Sequence, residues 1–204
     1  MPASSDVLVN CAGIPDGTHR SGLDIMKVNF LGLRHLTETL IDRVVPGGAV
    51  INVTSIAGNG WPGHVAELTG LMATHFAAGE DWCSTHGDVV GDGYVFSKEA
   101  LRYYTLWRAV RSVKASVRMN SISPGVNDTK IMVDFRVSMG DAAIAMTAQE
   151  GIGRLAQPDE MAPAILFVAH RGAASYINGS NLIIDGGFSA AMDTGQVDFG
   201  KYFG

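Results

Sequence analysis

Tyr94 and Lys98 are the two residues whose types and spacing most directly suggest chemistry. They bound the segment Tyr94-Val-Phe-Ser-Lys98, and residues four apart on a helix share one face, so the phenol and the ammonium can meet. A free tyrosine, with a pKa of about 10, is a poor base at neutral pH. A neighbouring lysine cation favours the phenolate, and each unit of lowering corresponds to about 1.4 kcal/mol. A phenol tuned in this way can take a proton from an alcohol or give one to a carbonyl oxygen. The pair by itself carries little weight, because surface helices often hold a tyrosine and a lysine at this spacing.

Two further polar residues join it. Ser55 follows the apolar run AVINV, where a loop hydroxyl can sit at the carboxyl edge of a sheet, the ligand edge of α/β folds. Read alone, it is a turn or cap serine. Asn29, in Met26-Lys-Val-Asn-Phe30, is a polar residue inside an apolar helical stretch. It needs a buried partner or a functional reason to be there.

The elements that must position these residues follow from periodicity. Asp6 to Asn10 and Ala49 to Val53 are short continuous apolar runs, the pattern of strands buried on both faces of a parallel sheet. Leu23 to Val45 has helical spacing, with Ile25, Val28, Leu31, Leu36, Leu40 and Val44 largely on one side, and Pro46-Gly47-Gly48 stops it. Residues 64–88 read as one or two helices, and a long helix from Gly91 to Val113 is entered through Gly91-Asp92-Gly93. Val117 to Ile122 is a third strand, 131–150 are short helices, and Pro158 to Ala169 opens with the helix-start signal Pro-Asp-Glu. Asn181 to Ile184 is a last strand before Asp185-Gly-Gly187. Strands alternating with helices predict one α/β domain over 1–204, a Rossmann-type, doubly wound parallel sheet with helices on both faces.

Composition narrows the function classes. The 204-residue chain is 47% hydrophobic and 17% charged with a net charge of −5, which suits an enzyme with a buried sheet and argues against nucleic acid, whose phosphates need a basic face. No apolar run is long enough to span a membrane, and no basic-then-apolar leader opens the chain. Cys11 and Cys83 are the only cysteines and have no metal or redox spacing, so a cytoplasmic location is expected. His64, His75 and His86 are not spaced as metal ligands, so no metal is expected.

Taken together the motifs resemble the short-chain dehydrogenase/reductase family along nearly the whole chain. Val9-Asn-Cys-Ala-Gly13 is similar to its N-N-A-G segment, with Cys11 replacing the second Asn. Asn29, Ser55, Tyr94 and Lys98 fall where its catalytic tetrad belongs. Ser123-Pro-Gly125 with Thr129 resembles the loop that holds the nicotinamide carboxamide, and Asp185-Gly-Gly187 its C-terminal D-G-G. The resemblance implies an NAD(P)-dependent oxidoreductase that interconverts a secondary alcohol and a ketone. Tyr94 becomes the general acid/base, Lys98 lowers its pKa and binds the nicotinamide ribose, Ser55 holds the substrate oxygen, and Asn29 positions a relay water. Asn10, Ala12, Gly13, Tyr94, Lys98, Pro124, Gly125, Val126 and Thr129 become the cofactor-binding set, with NAD placed ahead of NADP. The hydride transfer itself is the cofactor's chemistry.

Two departures from the family pattern shape the expectation. Residues 56–93 separate Ser55 from Tyr94, where the family has a short loop, and a helical insert over about 61–90 resembles the 3α-hydroxysteroid dehydrogenase/carbonyl reductase subgroup. This implies a hydroxysteroid or another bulky carbonyl compound as substrate, and a homo-oligomer with the insert at its interface. The glycine-rich phosphate turn and the first strands of the family do not occur in the chain. Their absence predicts an N-terminal truncation by about two βα units, on the order of sixty residues. A bare apolar edge at the first strand and weak cofactor binding would follow. The alternative reading is an inactive fragment or pseudoenzyme that serves only for binding or dimerisation. A serine hydrolase is disfavoured because Ser55 is not on a G-x-S-x-G elbow. Gly58-Asn-Gly60-Trp-Pro-Gly63 matches G-x-G-x-x-G literally, but Trp61-Pro62 lies within the turn and no strand bearing an acid follows, so it is not read as a dinucleotide fingerprint.

Overall fold

The computed structural model describes residues 4–16 and 19–203. β1 (Ser5–Asn10) is followed by α1 (Gly22–Met26), a π-helical segment (Lys27–Gly32) and α2 (Leu33–Leu40). β2 (Val44–Val53) leads into a 3-10 segment (Ile56–His64), α3 (Val65–Met72), α4 (Phe76–Thr85), α5 (Gly87–Val90) and the long α6 (Tyr94–Ser112). β3 (Arg118–Pro124) precedes α7 (Met132–Met139), α8 (Asp141–Gln149) and α9 (Pro158–Ala169). β4 (Asn181–Ile184), α10 (Phe188–Asp193) and α11 (Gly200–Phe203) follow.

The four strands pair in the order β1-β2-β3-β4, every pairing parallel. Side chains alternate across β2. Val50 packs with Phe30, Leu101 and Met119 in the larger core, while Ala49 and Ile51 pack with Ile122 and with Val168 of α9 on the opposite face. The doubly wound α/β architecture is therefore present. Buried polar groups fix the layers to one another. The Asn10 amide donates to Thr37 Oγ1 and Asn52 Oδ1, each at 2.8 Å, and Asn52 donates to Thr105 on α6. Arg118 donates to the last carbonyls of α9, those of Val168 and Ala169, at 2.8 and 2.9 Å, supplying partners that a helix end otherwise lacks.

Three elements differ from the sequence expectation. β2 begins at Val44, five residues earlier than expected, and pairs with β1 across an irregularity between Ser5 and Val7. The helix has already ended in a 3-10 turn at Ile41–Arg43, and Gly47, with φ +84°, bends the strand without breaking it. β1 is not buried on both faces but forms the bare apolar edge that was the other expectation for it: Val7 and Val9 are 37% and 41% exposed, and β1 is the sheet edge among the described residues. The expected apolar stripe of the first helix also breaks up. Val28 and Leu36 are exposed, whereas Met26, Phe30, Leu33 and Thr37 are buried, because the wider π turn rotates the helix face partway along.

Candidate active site

The site forms at the carboxyl ends of β1, β2 and β3. Tyr94 opens α6, and the preceding Gly93 adopts the left-handed conformation, φ +88°, against the backbone of Gly22. A side chain there would be strained and would also collide with Gly22, so the glycine sets where the helix starts and where the phenol points. One turn later Lys98 is 7% exposed, with its ammonium 5.6 Å from the Tyr94 ring centroid. Ser55 ends the extended chain after β2. Its hydroxyl accepts from the Ala57 amide at 3.1 Å and lies beside the Tyr94 phenol, which lines the same cavity. Phe135 of α7 meets the Tyr94 ring edge-on at 5.0 Å.

Burial pushes the Tyr94 phenol up to about 12. The nearby Ser55 hydroxyl acts in the opposite direction, and nearby Asp16 adds to the rise. Burial likewise pulls the Lys98 ammonium down to about 8, opposed by Cys11. The expected lowering of the tyrosine by Lys98 is not found here: Lys98 is not among the influences on the phenol, and loss of solvent dominates. At neutral pH the phenol carries its proton.

Asn29 is fully buried in the π-helical segment. Its Oδ1 accepts from the Ile14 amide at 2.8 Å, and its Nδ2 donates to the Ile14 carbonyl at 2.9 Å. The same loop brings Gly13 beside both Asn29 and Lys98. A Cβ at Gly13 would stand 3.4 Å from Asn29 Oδ1 and 3.6 Å from the Lys98 ammonium. Ser55, Tyr94 and Lys98 thus face one cavity, and Asn29 lies behind it, holding the Gly13–Ile14 loop.

Tyr94, Lys98, Ser55 and Gly13 line a cavity of about 930 Å³. Pro124, Gly125, Val126 and Thr129 line it from the loop after β3. Its roof is apolar, built from Met132, Phe135 and Met139 of α7, Met146 of α8, and Phe188 and Met192 of α10. Two expected cofactor residues are not in the cavity lining, although Ala12 lies between Cys11 and Gly13, which are. Asn10 is committed to the core network described above, and neither Asn10 nor Ala12 lines the cavity. Asn127, which sequence reasoning passed over, does line it. Its Nδ2 donates to the Gly125 carbonyl at 2.9 Å, and its buried Oδ1 has no partner. An Asn two residues after Pro124-Gly125 in the same loop was the available signal. Among the described residues no helix is long and apolar enough to cross a membrane.

Comparison with known proteins agrees with this arrangement. A family model described as Enoyl-(Acyl carrier protein) reductase matches residues 84–189. The coniferyl-alcohol dehydrogenase of Pseudomonas sp. (strain HR199 / DSM 7063) is 34% identical over 93% of this chain and 74% of that protein. The 3-alpha-hydroxysteroid dehydrogenase/carbonyl reductase of Comamonas testosteroni is 30% identical over 92% and 74%. Among solved structures, the 3-alpha-hydroxysteroid dehydrogenase from Pseudomonas sp. B-0831 complexed with NADH superposes with a TM-score of 0.80 at 27% identity. That superposition covers 94% of this chain and 76% of that one.

Proposed function

The chain belongs to the short-chain dehydrogenase/reductase family, and on that premise we propose that it interconverts a secondary alcohol and a ketone on a bulky apolar skeleton, of hydroxysteroid or comparable size, with NAD in preference to NADP. One observation carries this reading: a Tyr94 phenol, beside the Ser55 hydroxyl and one helical turn from a buried lysine, opens into a large cavity with an apolar roof. The roof's methionines and phenylalanines suit a rigid hydrocarbon better than a sugar, whose hydroxyls would go unpaired there. The choice of NAD is supported by the NADH bound to the structural relative.

The cavity wall fits the nicotinamide half of such a cofactor. Lys98 forms no hydrogen bond or ion pair among the described residues, so its three donors are free for ribose hydroxyls. The unpaired Asn127 Oδ1 is an acceptor suited to an amide N–H. Bound there, a nicotinamide supplies or accepts the hydride. In ketone reduction, Ser55 donates a hydrogen bond to the substrate oxygen and Tyr94 gives it the phenolic proton. In oxidation the proton moves the other way. Asn29 holds the Gly13–Ile14 loop beside Lys98, where a water relaying protons from Tyr94 would sit. Cys11, Gly13, Pro124, Gly125, Val126 and Thr129 complete the cofactor wall.

The test is turnover by the purified chain with NAD and, in parallel, a 3α-hydroxysteroid, a cycloalkanol and coniferyl alcohol. NADH formation with the bulky substrates, lost in Tyr94→Phe, is the expected result. NADH binding with no turnover of any of them would favour a binding module instead, and absence of binding would overturn the cofactor assignment.

A further inference from the structure

Glu99 adjoins Lys98 on α6, yet the reaction as proposed leaves it idle. It is 2% exposed, and a carboxylate at such a position is costly unless partnered. Its partner is His64, whose Nδ1 lies 2.7 Å from Glu99 Oε2. His64 is the last residue of the 3-10 segment that starts immediately after Ser55.

The residues between Ser55 and His64 lie flat on the same turn of α6. A Cβ on Gly58 would stand 2.6 Å from the Lys98 carbonyl oxygen. Asn59 Oδ1 accepts from the Arg102 guanidinium, and Gly60 abuts Glu99 Oε1. The Gly58-Asn-Gly60 portion of the G-x-G-x-x-G match thus has a physical reason unrelated to a pyrophosphate. Its glycines allow close approach to a helix. Ser55 is tied directly to this docked turn, because the Ala57 amide donates to its hydroxyl at 3.1 Å and the Gly58 amide to its carbonyl at 3.0 Å.

We propose that Glu99 and His64 are a positioning pair that fastens the 56–64 turn to α6 and so holds the Ser55 hydroxyl against Tyr94. The roles of Ser55 and Tyr94 rest on the function proposed above; the fastening itself does not. Proton transfer is sensitive to such placement, since a displacement of about 1 Å can cost on the order of a hundredfold in rate.

The experiment compares Glu99→Ala, Glu99→Gln and His64→Ala with the unaltered chain. Hydrogen exchange at the Ala57 and Gly58 amides is read first, then NADH affinity, kcat, KM and the solvent isotope effect on kcat. In Glu99→Ala, exchange at those two amides should speed up by about tenfold or more. On the same placement argument, kcat should fall by roughly ten- to a hundredfold, with a larger solvent isotope effect and little change in KM or NADH affinity. Glu99→Gln, which still accepts from His64, should restore most of both. Unchanged exchange at Ala57 and Gly58 in folded Glu99→Ala or His64→Ala would overturn the inference, as would kcat values that track thermal stability alone. His64 is the more exposed partner, so His64→Ala keeps the test decisive if Glu99→Ala does not fold. If the unaltered chain oxidises no alcohol, the proposed function fails and the exchange data still decide the fastening.

Discussion

At Tyr94 two influences oppose each other. Burial favours the neutral phenol, while the Ser55 hydroxyl favours the phenolate. Burial wins, so the group holds its proton at neutral pH. Tyr94→Phe keeps the ring and its edge contact with Phe135 but removes the proton. It is expected to lower kcat by about a thousandfold, within the usual range for an acid/base group, without loss of NADH affinity; steady-state kinetics and fluorescence titration check both. Lys98 makes the converse case. Its folded pKa of about 8 lies below the ordinary 10.5, so the fold penalises its charged form. That penalty is full below about pH 8. It eases as pH rises towards 10.5, where the unfolded chain binds the extra proton. Lys98→Met should therefore stabilise the protein by about 2–3 kcal/mol at neutral pH, a gain that shrinks towards zero near pH 10.5. Urea denaturation at both pH values reads this directly. Tyr94, Lys98, Ser55 and Asn29 were legible because their types recur at fixed places in a motif. Asn127, Asp16 and Glu99 were not, since each depends on a partner brought near only by folding: the unpaired wall, the phenol and His64.

The same contrast holds for elements. α9 was legible from end to end because its signals are local: Pro158 in the first turn, followed by Asp159 and Glu160, whose carboxylate accepts from the Gln157 amide. The break between the first helix and β2 was misplaced. Pro46 and the two glycines after it signal a turn in isolation, but pairing with β1 overrides that preference. The π-helical segment was invisible to a search for a 3.6-residue repeat, although it is the stretch that carries Asn29. α6 shows most clearly how an element end positions chemistry. Gly93 precedes Tyr94 with φ +88° and no room for a Cβ beside Gly22. Gly93→Ala combines backbone strain with a steric clash, and a loss of about 2–3 kcal/mol is expected in chemical denaturation. The phenol is the next residue, so kcat should fall further than stability alone explains. Retention of full activity at a temperature well below unfolding would show that the helix start does not aim the tyrosine.

For the molecule as a whole, strand–helix alternation was enough to specify a parallel sheet with helices on both faces, because few other topologies accommodate it. The cavity roof was not legible. α7, α8 and α10 come from separate stretches that show only as short helices, and their shared apolar side appears once β3 and β4 bring them over the same strand ends. Because the cavity lies between these parts, filling it should hold them together. A ligand that binds only the folded chain stabilises it by mass action, about 2.7 kcal/mol at a hundredfold excess over Kd, or about 5–10 °C in Tm for a domain of this size. NADH at such an excess is expected to produce that rise, and NADPH at the same concentration a smaller one. Lys98→Met separates binding from stability. It should start from a higher Tm than the unaltered chain, because the buried charge is gone, and yet gain little from NADH, because the ammonium proposed to bind the ribose is gone with it. A variant that is more stable when empty and less responsive to cofactor would place the burial cost of Lys98 in the service of binding. A variant that gains as much from NADH as the unaltered chain would leave the lysine without that role, and the cofactor wall would have to be sought among the residues of the Pro124–Thr129 loop instead.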